Sequence, residues 1–226
     1  MTAAEIQGRI LARVADEGGA SATAAETLQA INEGQELAAL MTLCLETTAS
    51  WTLTATTAWY SARAAFNDYL CPLRLMVGST RVSPASIRDL DARDASWQAS
   101  AGTPARYATL GFSLFAVTPQ PAIDTAASLT YARTPVELVG DAWPEIPEAY
   151  HQALVDYGVY RVRLKDGAQN LERGLRYFGR FLEAMKELGD QVRARSRAAG
   201  YDTLPFEVRR FDMSRLTQIL KRKVAS

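Results

Sequence analysis

The spacing of apolar residues changes twice along this chain, and that limits its possible folds more than any other feature. Toward both ends they recur every third or fourth position. From Thr47 to Val139 they alternate with polar residues, in stretches rich in Thr, Val and aromatic side chains. The first spacing belongs to helices with one buried face, the second to strands. A capping box of Thr2 and Glu5 ahead of Ile6, Ile10 and Val14 predicts a helix over 2–17, ended by Gly18-Gly19. A second box, Thr23 with Glu26, opens a helix running to about residue 46, with Gly34 as a place for a kink.

In the middle, Trp51, Leu53, Trp59 and Tyr60 mark one or two strands, and residues 70–82 read as another. Ser83 caps a short helix or turn with Pro84 at its first position. Residues 106–117 alternate as one strong strand, and 125–133 as a further one. Helices return after Asp141. Pro147 starts one that reaches about Leu164. Asp166 caps a long second helix with its stripe on Leu171, Leu175, Phe178, Leu182, Met185 and Leu188. The expected fold is therefore α+β: a helical bundle built from the N- and C-terminal helices, with an inserted antiparallel β-sheet region in the middle. The helical body is expected over 1–46 and 141–200, the antiparallel β region over 47–140, and a separate unit, containing a short helix 213–223, over 201–226.

Charge adds a second division. The totals balance at 25 basic and 25 acidic residues. Residues 1–160 hold 9 Arg and no Lys against 17 acidic residues, and residues 161–226 hold 16 basic against 8 acidic. A molecule split in this way is built to meet a partner through complementary patches. The partner could be nucleic acid, another protein or a second copy of the chain. At 226 residues, 48% apolar, the chain has material for one domain or two small ones. Its longest uncharged stretches are too rich in Thr, Ser and Ala for a membrane span, and no signal peptide is evident. Cys44 and Cys71 read as buried small hydrophobes in a cytoplasmic setting rather than as a disulfide.

Catalytic chemistry is hard to find. The one histidine, His151, lies on an amphipathic helix with no nucleophile or orienting partner in its pattern, and reads as a packing or surface residue. Two Cys and one His at these separations have no zinc spacing. The glycines form neither a dinucleotide fingerprint nor a phosphate loop, and no Gly-x-Ser-x-Gly occurs. Asp89, Asp91 and Asp94 alternate as calcium ligands do, but lack the loop glycine and terminal glutamate of that site; a turn with local ion pairs is the simpler reading. Trp97, Tyr107, Phe112, Phe115 and Tyr131 could stack bases, yet strand aromatics more often fill cores. No cofactor and no enzymatic activity are expected.

The arginines carry more. Arg173, Arg176 and Arg180 follow one face of the long helix and are candidates to line a channel; Glu172, Glu183 and Glu187 beside them also fit a solvated face. The last segment is basic and apolar together. Phe206, Arg209, Arg210, Phe211, Leu216, Leu220, Lys221 and Arg222 form a candidate docking arm, because Arg and aromatic residues in company resemble interface anchors.

An ordered set of motifs between Trp97 and Arg161 resembles the head-to-tail connector, or adaptor, proteins of tailed bacteriophages. It runs from Trp97 through Gly102-Thr103-Pro104-Ala105-Arg106-Tyr107 and Val117-Thr118-Pro119-Gln120-Pro121. It continues through Leu129-Thr130-Tyr131 with Pro135, and closes with Asp141-Ala142-Trp143-Pro144-Glu145-Ile146-Pro147-Glu148-Ala149-Tyr150-His151. The resemblance covers under a third of the chain. It implies a structural virion protein, assembled in the host cytoplasm and sited at the portal vertex. There a homo-oligomeric ring, a dodecamer in that family, joins the portal protein to the tail or nozzle protein, and double-stranded DNA passes transiently through the lumen. No membrane partner is implied. Two alternatives stay open: another tail-completion or tail-tube protein, and a DNA-binding packaging factor using the basic arm.

Overall fold

The structure, a computed structural model, describes residues 1–16, 22–111, 113–165 and 168–203. In chain order the elements are α1 (Ala3–Asp16), α2 (Ala24–Thr42), β1 (Glu46–Leu53), β2 (Trp59–Ser61), α3 (Ala62–Ala65), β3 (Tyr69–Val77), β4 (Thr80–Pro84) and α4 (Ile87–Arg93). There follow β5 (Ala101–Gly102), β6 (Arg106–Leu110), β7 (Leu114–Thr118), β8 (Gln120–Pro121), β9 (Thr125–Arg133), a 3-10 turn (Glu148–Tyr150), α5 (His151–Lys165) and α6 (Ala168–Ala198). They form two compact units. One comprises Met1–Cys44 and Pro135–Arg193; the other comprises Leu45–Thr134 and residues 194–203.

The helical unit starts as its caps dictate. Glu5 N donates to Thr2 Oγ1 (3.2 Å) and Thr2 N to Glu5 Oε2 (3.0 Å), and Thr23 and Glu26 exchange the same pair. Ile6, Ile10 and Val14 of α1 pack with Ile31, Leu154, Val155, Val159 and Val162. A second cluster joins Ala38, Ile146, Tyr150, Tyr157, Phe181, Leu182, Met185, Leu188 and Val192. Burying each large side chain contributes about 1.5–3 kcal/mol. α5 is buried on nearly every side, so it shows no clean stripe. α2 runs unbroken through Gly34 and stops at Thr42, short of residue 46. Leu43 takes a left-handed conformation there (φ 51°) and returns its N–H to Ala39 O.

The sheet unit overturns the expected fold class. The middle of the chain is not an antiparallel insert in a helical bundle. It is a large, curled, mixed seven-stranded sheet, a half-barrel, in the order β1-β9-β3-β4-β6-β7-β2. β4 and β6 run parallel, through Ser83↔Arg106 and Pro84↔Tyr107; the other neighbours are antiparallel. The added strands come from two hairpins inside runs that read as single strands. Gly78 (φ +57°) turns the 70–82 run between Val77 and Thr80, and Gly111 (φ +63°) turns the 106–117 run between Leu110 and Leu114. The parallel pair arises because residues 85–105, including α4, carry the chain back between β4 and β6. The cap of α4 is Ser86, boxed with Asp89, rather than Ser83; Pro84 ends β4.

Aromatic rings fill the sheet's inner face. Trp51 contacts Phe115 (4.9 Å between centroids), Tyr60 (5.4 Å) and Phe66 (5.6 Å), and Phe66 stacks on Tyr131 (5.0 Å). Leu53, Leu75, Val82, Val117 and Leu129 complete this core. On the opposite face of β6 and β7, Trp97 and Leu90 cover Ala108 and Ala116.

Candidate assembly surface

The candidate docking residues Phe206, Arg209, Arg210, Phe211, Leu216, Leu220, Lys221 and Arg222 lie outside the described residues, as do Asp166 and the expected helix over 213–223. The structure shows how the chain is held just before them. Asp202 N donates to Leu73 O (2.7 Å), Tyr107 Oη donates to Asp202 Oδ2 (2.9 Å), Arg81 pairs with Asp202 Oδ1, and Thr203 Oγ1 donates to Pro72 O (2.6 Å). The Asp202 side chain is 3% exposed. Burial, and then the Asp202 charge, push the Tyr107 phenol well above its ordinary value. The sheet thus anchors the chain firmly at residues 202 and 203.

Arg173, Arg176 and Arg180 are all exposed on α6. Arg176 stands 3.9 Å from Glu172, and the Arg180 guanidinium lies 5.2 Å from the Tyr177 ring centroid. Arg180 also helps to hold down the carboxyl of Asp156, which burial raises and Arg13, at 3.1 Å, draws back.

A third surface was not singled out as a site by sequence reasoning. Residues 135–147, between β9 and the 3-10 turn, have no regular structure, yet side chains fix their backbone. Gln35 Nε2 donates to Val136 O (2.8 Å), and Val136 N donates to Glu145 Oε2 (2.7 Å). Leu138 N donates to Asn32 Oδ1 (2.8 Å), and Ala3 N to Ala142 O (2.9 Å). Leu138, Pro144 and Ile146 point inward, while Val136, Val139 and Trp143 face solvent. The signal lay in the Asp141–His151 motif itself, which mixes buried and exposed apolar residues without a period.

Charge is unevenly spread over these surfaces. Residues 45–134 carry 7 Arg against 6 acidic residues, whereas 135–160 carry 5 acidic residues and no basic one. The acidity of the first 160 residues therefore sits in the N-terminal helices and this loop, and not in the sheet.

Residues 1–204 match the family model described as SU10 adaptor protein. The chain belongs to that family. It is a family of phage head-tail adaptors, so this adaptor is a structural component of the virion and meets other phage head or tail proteins. No curated protein matches the chain.

Read as an adaptor, the chain uses its remaining titratable groups to hold the fold. His151 is buried; its Nε2 lies 2.8 Å from Ile146 O and its Nδ1 2.9 Å from the Met1 amine. An N–H on Nε2 donates to the carbonyl, and Nδ1 accepts from the amine. Asp89 accepts from Ser86, Asp91 Oδ1 accepts from Trp97 Nε1 (2.8 Å), and Asp94 Oδ1 and Oδ2 accept from Ser96 and Ser100. Trp97, Tyr107, Phe115 and Tyr131 are buried and offer no stacking platform; Phe112 lies outside the described residues. Cys44 and Cys71 form no disulfide and are half-buried, and burial lifts the Cys71 thiol to about 11. Among the described residues no cluster of His, Cys, Asp or Glu could hold a metal, and no helix is long and apolar enough to cross a membrane. A cavity of about 270 Å³ between α2 and α5 is lined by Glu26, Glu33, Arg161 and Lys165, and these pair with one another.

Proposed function

We propose that this adaptor assembles as a ring, a dodecamer, at the portal vertex, where it joins the portal protein to the tail or nozzle protein and encircles the DNA path. The observation that carries this reading is the family match over residues 1–204. The subunit's charge separation supports it. An acidic α1, α2 and 135–160 surface and a basic α6 and C-terminal segment are different patches. A contact between different patches repeats head to tail and closes when the rotation allows. Arg173, Arg176 and Arg180 are proposed to face the lumen. Few of the arm's charges are proposed to do so, because a surface making many phosphate contacts would retain the genome it must pass. The arm residues Phe206, Arg209, Arg210, Phe211, Leu216, Leu220, Lys221 and Arg222 are proposed to dock on protein.

Mass photometry of the full chain, alone and mixed with portal protein, tests this reading. A closed oligomer alone or on the portal is expected. A chain that remains monomeric and ignores the portal overturns it. Binding to duplex DNA at physiological ionic strength without portal binding would favour a packaging factor instead.

A further inference from the structure

The loop over 136–148 combines a fixed backbone with side chains that need a partner. Val136, Val139 and Trp143 are 67%, 77% and 58% exposed. Hydrogen bonds from Gln35, to Glu145 and Asn32, and from Ala3 hold the backbone that presents them, and the Trp143 ring lies 6.3 Å from that of His151 with most of its surface still in solvent. Such a surface has already met much of the ordering cost of binding. Tryptophan is a favoured interface anchor.

Its chemistry selects what can sit there. Glu137, Asp141, Glu145 and Glu148 are interspersed in sequence with the three apolar residues, with no basic residue from 135 to 160. Nucleic acid and anionic lipid are repelled; a segment both apolar and basic is attracted. The chain contains one. Residues 204–226 carry six basic residues against two acidic ones, interleaved with Phe206, Val208, Phe211, Leu216, Ile219 and Leu220. The Met1 amine pairs with Glu148 (3.4 Å), so the loop's four acidic residues leave a net negative charge opposite in sign to that segment's. Extended, those residues can reach about 75 Å from the Asp202 anchor, at about 3.3 Å each, far enough to leave their own subunit.

The geometry points to the 136–148 loop as the seat for residues 204–226 of a second copy of this chain. The inference rests on the ring reading. It gives that ring its repeating contact: the arm of one subunit on the loop of the next, with Trp143 among the arm's apolar side chains and Glu137 facing its arginines.

Photo-crosslinking tests it in the full chain. Trp143→p-benzoylphenylalanine is introduced, and equal amounts of ¹⁴N- and ¹⁵N-labelled protein are mixed before assembly, alone or on the portal. Native mass spectrometry reads oligomer size separately. The expected result is crosslinks joining position 143 to peptides from 204–226, half of them mixed in label. Crosslinks within one label only mean that the arm seats on its own subunit. Crosslinks to portal or tail protein mean a different occupant. An assembled oligomer with no crosslink means an empty seat. Each of these three overturns the inference and leaves the ring reading standing; a chain that stays monomeric overturns both. A companion variant, Trp143→Ala, is expected to weaken self-association roughly 30-fold, the loss typical of a central anchor. Glu137→Arg is expected to weaken it too, and Arg209→Glu with Arg210→Glu in the same chain to restore it in part. Unchanged association in both loop variants would also overturn the inference.

Discussion

The ring of Tyr157 lies so close to Gly34 that a Cβ on that glycine would meet Tyr157 Cδ1 at 2.9 Å and Cγ at 3.3 Å. The glycine exists for the crossing of α2 and α5, not for a kink. Gly158 serves α1 in the same way, since a Cβ there would meet Ile10 Cδ1 at 2.2 Å and Cγ1 at 2.9 Å, and Ile10 is fully buried.

These contacts set the sign of three substitutions. Ala in place of a mid-helix Gly gains about 0.5–1 kcal/mol, while overpacking a core costs about 1–3 kcal/mol. Gly8 of α1 has nothing within 4 Å, so Gly8→Ala is expected to stabilise by about 0.5–1 kcal/mol. Gly34→Ala is expected to destabilise by about 1 kcal/mol and Gly158→Ala by about 2 kcal/mol or more. Urea melts of the three variants check the order; a stabilising Gly158→Ala would contradict the packing.

The same glycines show where sequence and structure part. Capping boxes at Thr2 and Thr23 are short-range chemistry, and both form where the sequence put them. Hairpin turns were lost because Gly78 and Gly111 interrupt the alternating pattern by only two or three residues, and period-2 spacing resumes beyond them. Two hairpins read as two single strands left the sheet two strands short and hid its mixed, curled form. The parallel β4–β6 pair was not legible at all, because it depends on residues 85–105 returning to the same sheet. Asp202 illustrates a long-range contact of the same kind. Its partners Leu73, Arg81 and Tyr107 come from three strands, and no local spacing announces them. Of the candidate site, the Asp141–His151 motif was visible as a pattern. The exposed Val139 just before it and Trp143 within it became legible only once Asn32 and Gln35 were seen to hold the loop.

Acid should loosen the α2–α5 contact at one ion pair. The hydrogen bond from Lys165, and then that from Thr23, hold the Glu26 carboxyl at about 2, against 4.5 ordinarily. A folded-state value below the unfolded one means a contribution present in full above about 4.5 and lost as pH falls toward about 2. Lys165→Met is expected to return the Glu26 midpoint toward 4.5, read by carboxyl-carbon NMR titration. A midpoint that does not move would show that Lys165 is not its partner in solution.

Calcium should leave the protein unchanged. Asp89, Asp91 and Asp94 already accept hydrogen bonds from Ser86, Trp97, Ser96 and Ser100. Bonds from Ser86 and Ser96 lower the Asp89 and Asp94 carboxyls. A cation would have to displace these donors. The thermal midpoint is expected to be the same in millimolar calcium and in chelator. Asp91→Ala should cost about 1–2 kcal/mol by leaving the buried Trp97 indole N–H unpaired. A calcium-dependent rise in melting temperature would restore the metal reading.

The tie at Asp202 should govern how firmly the chain is held at residues 202 and 203. Its carboxylate is nearly fully buried and accepts from Tyr107 and Arg81, but Arg81 is 41% exposed, so the pair is worth less than a buried one. Asp202→Ala is therefore expected to cost about 1.5–3 kcal/mol, the range for hydrogen bonds to a charged group. Arg195→Ala, by contrast, removes a 3.8 Å pair to Glu46 between side chains 57% and 32% exposed, and is expected to cost less than about 0.5 kcal/mol. Hydrogen exchange separates the two. The amide of residue 202, which donates to Leu73 O, should exchange roughly 10- to 100-fold faster in Asp202→Ala and at the native rate in Arg195→Ala. Equal exchange in both variants would mean that the backbone bond to Leu73, and not the buried carboxylate, fastens the chain to the sheet.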